Sequence, residues 1–295
     1  MRRSPARARR LRERALGWAL GSPLFLVIVG LVFVPIVLGF GLSTQAYSYG
    51  IPGGYVGLQN YVDVLQDPAT LTAAVHTAGY TVVAVSIELL LGLAFALALN
   101  RPFRGRGLVM AALVLPWALP SVVSGILWLR IFNPDNGLLN VVLLNLHILD
   151  APKVWFSSQG WAIAFIAMIH AWGVVPLVTL ILLAGLQGIP DEMYDASAVD
   201  GASGWQQFQL LTWPLLRPAI AVALTTGTVL AIAIFDEVYV LTGYQLNTYS
   251  LMMQAYQITF TNLQFGKGAA FAYLVTLATG LFAIGYVRGL RRVER

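Results

Sequence analysis

Long runs of apolar residues, separated by short polar segments, dominate this chain. Six stand out: from about Pro23 to Leu42, Thr72 to Leu99, Gly107 to Ile131, Gly160 to Leu186, Arg217 to Leu241 and Gly268 to Val287. Each is close to or beyond the ~20 residues with which an α-helix crosses a bilayer. The pattern predicts an all-α, polytopic membrane bundle of six transmembrane helices with short loops. Pro116 and Pro120 fall inside the third run, where neighbouring helices can satisfy the carbonyls they free. The basic stretch ahead of the first run resembles the start of a cleaved leader. The run behind it is long enough to span, however, and no clear small-residue cleavage site follows, so an uncleaved first span is expected.

One polar stretch interrupts this pattern with its own order. Pro190 suits the first turn of a helix, and Asp191 and Glu192 sit where the helix dipole favours negative charge. Gly201 stops that helix. Ser203 with Gln206 three residues on has the form of a capping box, and Trp205, Phe208 and Leu211 or Thr212 give the second short helix an apolar stripe before Pro214 ends it. A helix-turn-helix outside the hydrocarbon is expected, offering an apolar knob to a partner.

Composition agrees with a lipid environment. Hydrophobic residues make up 58% and charged residues 11% of the 295, against roughly 25% charged in ordinary soluble domains. There is no cysteine, which excludes disulfides, thiolate metal sites and a cysteine nucleophile. His76, His147 and His170 are isolated, so no metal site and no catalytic residue is expected. No glycine-rich phosphate loop is present, so any ATP must be bound by another chain.

The net charge of +5 does not point to nucleic acid, because its distribution follows membrane boundaries. Of 18 Lys and Arg, seven lie before residue 15, three at Arg101, Arg104 and Arg106, one at Arg217 and four from Arg288 to Arg295. Only Arg130, Lys153 and Lys267 remain for the other face. The positive-inside rule then places both termini and the 187–218 loop in the cytoplasm. The expected organisation is a basic arm over 1–22, a transmembrane domain over 23–289 containing that loop, and a tail over 290–295.

The stretch from Asp195-Ala196-Ser197 through Asp200-Gly201-Ala202 to Trp213-Pro214 resembles the coupling loop of ABC importer permeases, whose pattern is Glu-Ala-Ala, Asp-Gly-Ala and Leu-Pro. Asp for Glu, Ser for Ala and Trp for Leu are the departures. Three further segments resemble the sugar-type, maltose-class permeases of that family: Phe235 to Gly243, Phe265-Gly266-Lys267-Gly268-Ala269-Ala270, and Asn133 to Asn140. The usual Gly-Gly-Pro after Leu-Thr is replaced by Gly243 to Asn247.

This resemblance implies a permease subunit of a binding-protein-dependent importer that moves a sugar, a di- or oligosaccharide, across the cytoplasmic membrane of a prokaryote. Its implied partners are a second permease subunit, a dimer of ATP-binding cassette ATPases that holds ATP and Mg, and an extracytoplasmic sugar-binding protein. The chain itself is implied to hold no cofactor and to catalyse no reaction. Coupling to the ATPase falls to Glu192, Asp195, Ala196, Ser197, Asp200, Gly201 and Pro214, with helix 191–200 as a rigid lever. The implied substrate path includes His170 as a donor, Trp172 as a stacking ring and Gly173 as clearance; Thr225 and Thr226 are weaker candidates, because membrane-helix threonines commonly bond their own backbone, and Asp236 and Glu237 are candidates because ionisable groups at membrane depth are costly and usually functional. Asp236 and Glu237 are about 100° apart on a helix, so at most one faces a bore. They can equally sit at the outer boundary. Glu88 reads as a structural pair with a neighbouring helix or subunit. A different class, an ion-coupled secondary transporter using Glu88, Asp236 or Glu237, is the alternative.

Overall fold

The computed structural model describes residues 5–291. Among these residues the regular elements are all helices, and the only bridges are the isolated pairs Gln45 with Tyr55 and Ser48 with Ile51. Residues 1–4 and 292–295, which include Arg2, Arg3, Arg292 and Arg295 of the expected arm and tail, lie outside the described residues.

In chain order the helices are α1 (Pro5–Ile28), α2 (Val34–Ser43), α3 (Gln59–Gln66), α4 (Pro68–Asn100), α5 (Arg106–Val114), α6 (Ser121–Ile131) and α7 (Leu138–Asn145), then α8 (Gln159–Gln187), α9 (Asp191–Val199), α10 (Gly204–Gln207), α11 (Trp213–Ile232), α12 (Asp236–Thr242), α13 (Leu251–Tyr256) and α14 (Phe265–Arg291). Among the described residues, five helical stretches are long and apolar enough to cross a membrane: Leu16–Ser43, Pro68–Asn100, Gln159–Gln187, Gly204–Ile232 and Phe265–Gly285. The sixth is the pair Arg106–Ala118 and Ser121–Ile131, bent by 99°.

Two expectations are corrected by proline and hydrogen-bond chemistry. Pro23 lies within α1, so the first apolar run continues a helix that starts ahead of it. The third span is not one helix. Leu119, held extended ahead of Pro120 at φ −84° and ψ 136°, breaks it. The fifth span neither begins at Arg217 nor reaches Leu241: it runs from Gly204 to Ile232, stops, and restarts as α12.

Pro214 does not end a helix. A π-helical turn, Phe208–Thr212, precedes α11, and the Trp213 N–H donates to the Phe208 carbonyl five residues back. The same device precedes Pro35, where the Val34 N–H donates to Val29 across the π turn Val29–Phe33. The wider turn takes up the missing proline N–H, so both helices continue.

The chain divides into two compact units. The first takes in the residues up to Val64 and Ile258–Tyr273. In it the segment after the first span is tied down by Asn60, whose amide donates to the carbonyls of Ser43 (2.8 Å) and Gln45 (2.9 Å). The Gly266 N–H donates to the Tyr47 carbonyl, and Lys267 pairs with Asp63 at 2.8 Å. That ion pair, with a hydrogen bond from Gln59, holds the Asp63 carboxyl below the usual carboxylate range.

The second unit, Leu65–Gln257 and the chain after Tyr273, carries the main core. Here α4 and α8 pack along their length and α11 lies against both. The buried stripe of α4 recurs every three or four residues: Ala73, Thr77, Tyr80, Ala84, Glu88, Gly92, Ala96 and Leu99. Small residues in that stripe let two membrane helices approach closely. A Cβ at Gly92 would lie 2.6 Å from Val178 Cγ1.

Two loops of this unit are held from within. Tyr80 donates to the Thr248 carbonyl (2.7 Å) and Thr77 accepts from the Leu251 N–H (2.8 Å), so the Gly243–Asn247 departure runs into a segment clamped onto α4. Asn140, buried, donates to the carbonyls of Pro134 (2.9 Å) and Lys153 (3.0 Å) and accepts from Trp155 Nε1 (3.0 Å). The Asn133 to Asn140 segment is thereby fixed to an aromatic cluster of Phe132, Trp155 and Phe165.

Candidate functional site

The polar stretch after α8 folds much as its residues dictate. Pro190 stands just ahead of α9 as its N-cap, with Asp191 and Glu192 in the first turn. Gly201 then takes φ +80°, a left-handed conformation. The Ala202 N–H donates to the Ser197 carbonyl and the Gly201 N–H to that of Ala198, both at 3.0 Å, the paired bonds of a Schellman stop. The Ser203–Gln206 capping box is complete on both sides, opening α10.

Cross-links set the angle between α9 and the next helix. Tyr194 Oη and Thr212 Oγ1 are 3.0 Å apart, and the Gln207 amide donates to Ser197 Oγ (3.0 Å) and the Tyr194 carbonyl (3.3 Å). Ser197, in the place of the family's second Ala, is therefore a hydrogen-bonding member of the turn. Glu192, Asp195, Ala196, Asp200 and Gly201 are exposed. Val199 is 87% exposed, and Trp205, 65% exposed, stacks on Phe208 with ring centroids 5.5 Å apart. Thr212 is buried, so it does not extend the presented stripe. The result is a rigid elbow with an acidic rim and an apolar tip. Pro214 is half-buried beyond it, inside the continuing helix.

The expected path residues separate into two places. Trp172 lines an apolar groove of about 500 Å³ with Leu91, Phe95, Pro116, Trp128 and Met168. Its ring meets that of Trp128 edge-on at 5.6 Å. His170, two residues earlier on α8, is buried and faces the carboxylates of Glu88 and Glu237. Two residues on a helix are about 200° apart, so the two rings cannot share one open pocket here. Gly173 is half-buried, with nothing within 4 Å of the position a Cβ would take, and Thr226 is half-buried on α11. Thr225 donates to the Ala221 carbonyl of its own helix at 2.8 Å.

Asp236 and Glu237 begin a helix rather than closing one. They form the first turn of α12, after Ala233–Phe235 leaves the helical path. The carbonyl freed by this break, that of Ile234, accepts from Ser250 Oγ at 2.6 Å. Glu237 is buried and Asp236 only half-buried. Two adjacent acids after a long apolar run are a helix-start pattern and could have announced the break.

What the residues alone do not reveal is the meeting of Glu88, His170 and Glu237. The His170 imidazole lies 3.0 Å from Glu237 Oε1 through Nδ1, and 4.0 Å from Glu88 Oε1 through Nε2. The only hint was position: Glu88 is the one acidic side chain in the buried stripe of α4.

Comparison with known proteins supplies the remaining frame. The family described as "Binding-protein-dependent transport system inner membrane component" matches residues 88–294. The trehalose/maltose transport system permease protein MalF of Thermococcus litoralis is 35% identical over 94% of this chain and 94% of its own length. The trehalose transport system permease protein SugA of Mycobacterium tuberculosis is 33% identical, covering 95% of this chain and 90% of its own. In fold, the chain matches a bacterial alginate ABC transporter, solved in complex with an alginate pentasaccharide-bound periplasmic protein. The TM-score is 0.84 at 19% identity, over 97% of this chain and 98% of the other.

Proposed function

This chain belongs to the family of binding-protein-dependent transport system inner membrane components, and we propose that the cargo it carries is a di- or oligosaccharide. It is the membrane-spanning permease subunit of an ABC importer, a transport subunit, and ATP is hydrolysed by a separate chain. The sugar assignment draws on relatives whose names specify trehalose and maltose transport. Its partners in this reading are a second, distinct permease subunit, a pair of ATPases that hold ATP and Mg, and a periplasmic sugar-binding protein. The chain lies in the inner membrane, and the distribution of Arg and Lys supports both termini and the 187–218 elbow being cytoplasmic.

The observation that carries the mechanism is the elbow over Pro190–Thr212. It is stopped by Gly201, braced by Ser197, Gln207, Tyr194 and Thr212, and exposed along its acidic rim and its Trp205 tip. Such an element transmits a push without bending. Closure of the ATPases moves α9 as a body and, because α10 to α11 is continuous, moves the fifth span with it. Only interactions that differ between the two end states can drive that motion. Glu192, Asp195, Ala196, Asp200 and Gly201 form the face presented to the ATPase. Trp172 is the candidate stacking ring at the groove, an aromatic face suited to a sugar ring.

The test is uptake of trehalose and of maltose by the purified complex in proteoliposomes with its binding protein. Asp195→Lys with Asp200→Lys should leave the protein inserted and separate ATP hydrolysis from uptake. Unchanged uptake in that double variant would sink the coupling assignment. Transport driven by an ion gradient without ATP would restore the secondary-transporter reading.

A further inference from the structure

Glu88 stands midway along the seam where α4 meets α8 and is 1% exposed. Neither of its carboxylate oxygens has a hydrogen-bond partner, and neither does His170 Nε2, the atom that faces it at 4.0 Å. The adjoining cleft, walled by Val85, Leu89, Val178 and Leu224, has no space for a water-sized sphere. Clearance for the carboxylate comes from Gly227 on α11, where a Cβ would strike Glu88 Oε2. The other side of the imidazole is already engaged, with Nδ1 3.0 Å from Glu237 Oε1.

A buried carboxylate without partners costs several kcal/mol. A fold that keeps one in a cleft shaped around it has a use for it in another arrangement. The distance to close is small. Moving from 4.0 Å to hydrogen-bond range takes about 1 Å, within the ~1–2 Å by which packed helices shift in conformational switches.

We propose that Glu88 is a positioning residue for transport: in a second state of the cycle α4 and α8 slide past each other, Glu88 closes on His170 Nε2, and the imidazole bridges α4 to α12. The bridge holds one proton between Glu88 and Nε2 while Nδ1–H donates to Glu237. It sets where α12 sits, and with it Asp236 and the break that follows the fifth span. In the present state the bridge is half made, and the unpartnered carboxylate favours leaving it. His170 acts through this contact rather than as a sugar ligand.

The inference rests on the chain working as an ATP-driven importer and not on which sugar it carries. The experiment uses the whole complex, purified through a tag on this chain and reconstituted with its binding protein. ATP turnover (kcat), KM for ATP and the thermal midpoint are measured for Glu88→Gln, His170→Gln and the double variant. Glu88→Gln keeps the shape and removes the buried charge. It should leave the midpoint unchanged or raise it while lowering kcat about tenfold, the size of one charge-assisted hydrogen bond, at unchanged KM. The double variant should be no slower than the slower single one, because the two groups act as one unit. Wild-type turnover in Glu88→Gln, a parallel fall of midpoint and kcat, or losses that multiply in the double variant would each overturn the proposal. If Glu88→Gln does not assemble, Glu88→Asp decides: it keeps the charge, withdraws it by one methylene, and should slow turnover in an intact complex. Wild-type turnover, or failure to assemble there as well, assigns Glu88 to structure alone. A wild-type complex that carries no ATPase would instead defeat the importer reading itself.

Discussion

Substitution of Gly201 tests whether the elbow works as a rigid element. Its φ of +80° is the left-handed region, and nothing lies within 4 Å of the position a Cβ would take. Any penalty at this site therefore comes from the backbone and not from a clash. Alanine in that conformation costs about 1 kcal/mol and a β-branched residue about 2 kcal/mol or more, whereas asparagine tolerates it. Those figures correspond to roughly a fivefold and a thirtyfold loss in the population of the closed turn. The bonds at stake are Ala202 N–H to Ser197 and Gly201 N–H to Ala198, which hold α9 at its angle. Because the turn is exposed and local, the thermal midpoint of the complex should barely move. Uptake per ATP hydrolysed should fall in the order Gly, Asn, Ala, Val, measured side by side in proteoliposomes. Asparagine and valine are similar in size and differ in this backbone preference. If Gly201→Asn is as damaging as Gly201→Val, side-chain bulk at the ATPase contact matters rather than turn geometry, and the argument fails.

Replacing Asn140 by Ala leaves Trp155 Nε1 and two carbonyls without their partner, at about 1–3 kcal/mol. Limited trypsin digestion should then show faster cleavage at Lys153. Gly92→Leu forces side-chain volume into Val178 across the α4–α8 seam and should destabilise the complex by about 1–3 kcal/mol, read as a lower thermal midpoint. Asp63 carries a depressed folded-state pKa, so its contribution is present above the ordinary carboxylate range and is lost as pH falls through the lower folded value. Lys267→Ala should shrink that acid-limb component to the part the Gln59 hydrogen bond supplies, and cost under about 1 kcal/mol near neutral pH, since both side chains are about a third exposed. Midpoints recorded across the acid range in both proteins check it.

The residues by themselves determined whatever depends on near neighbours. Apolar run length marked six crossings, because a bilayer demands a minimum helix length whatever the fold. Asp191, Glu192, Gly201, Ser203 and Gln206 specified the elbow, because caps and stops are satisfied within a turn or two of chain. The coupling resemblance rested on this same stretch and was legible for that reason.

The tertiary structure decided what those patterns leave free. Proline has more than one local outcome: Pro120 accompanies a 99° bend, while Pro214 is absorbed by a π turn, and the two are indistinguishable by residue type. The break after Ile232 persists because Ser250, 16 residues beyond Ile234, donates to the freed Ile234 carbonyl. His170 stands two residues from Trp172 in the chain, yet packing turns it towards Glu237, 67 residues away, and towards Glu88 on a third helix. Periodicity says which face of a helix is buried, and it is silent about which face of another helix it meets. Inside a membrane that pairing governs the chemistry, because every polar group withdrawn from water must find its partner within the protein.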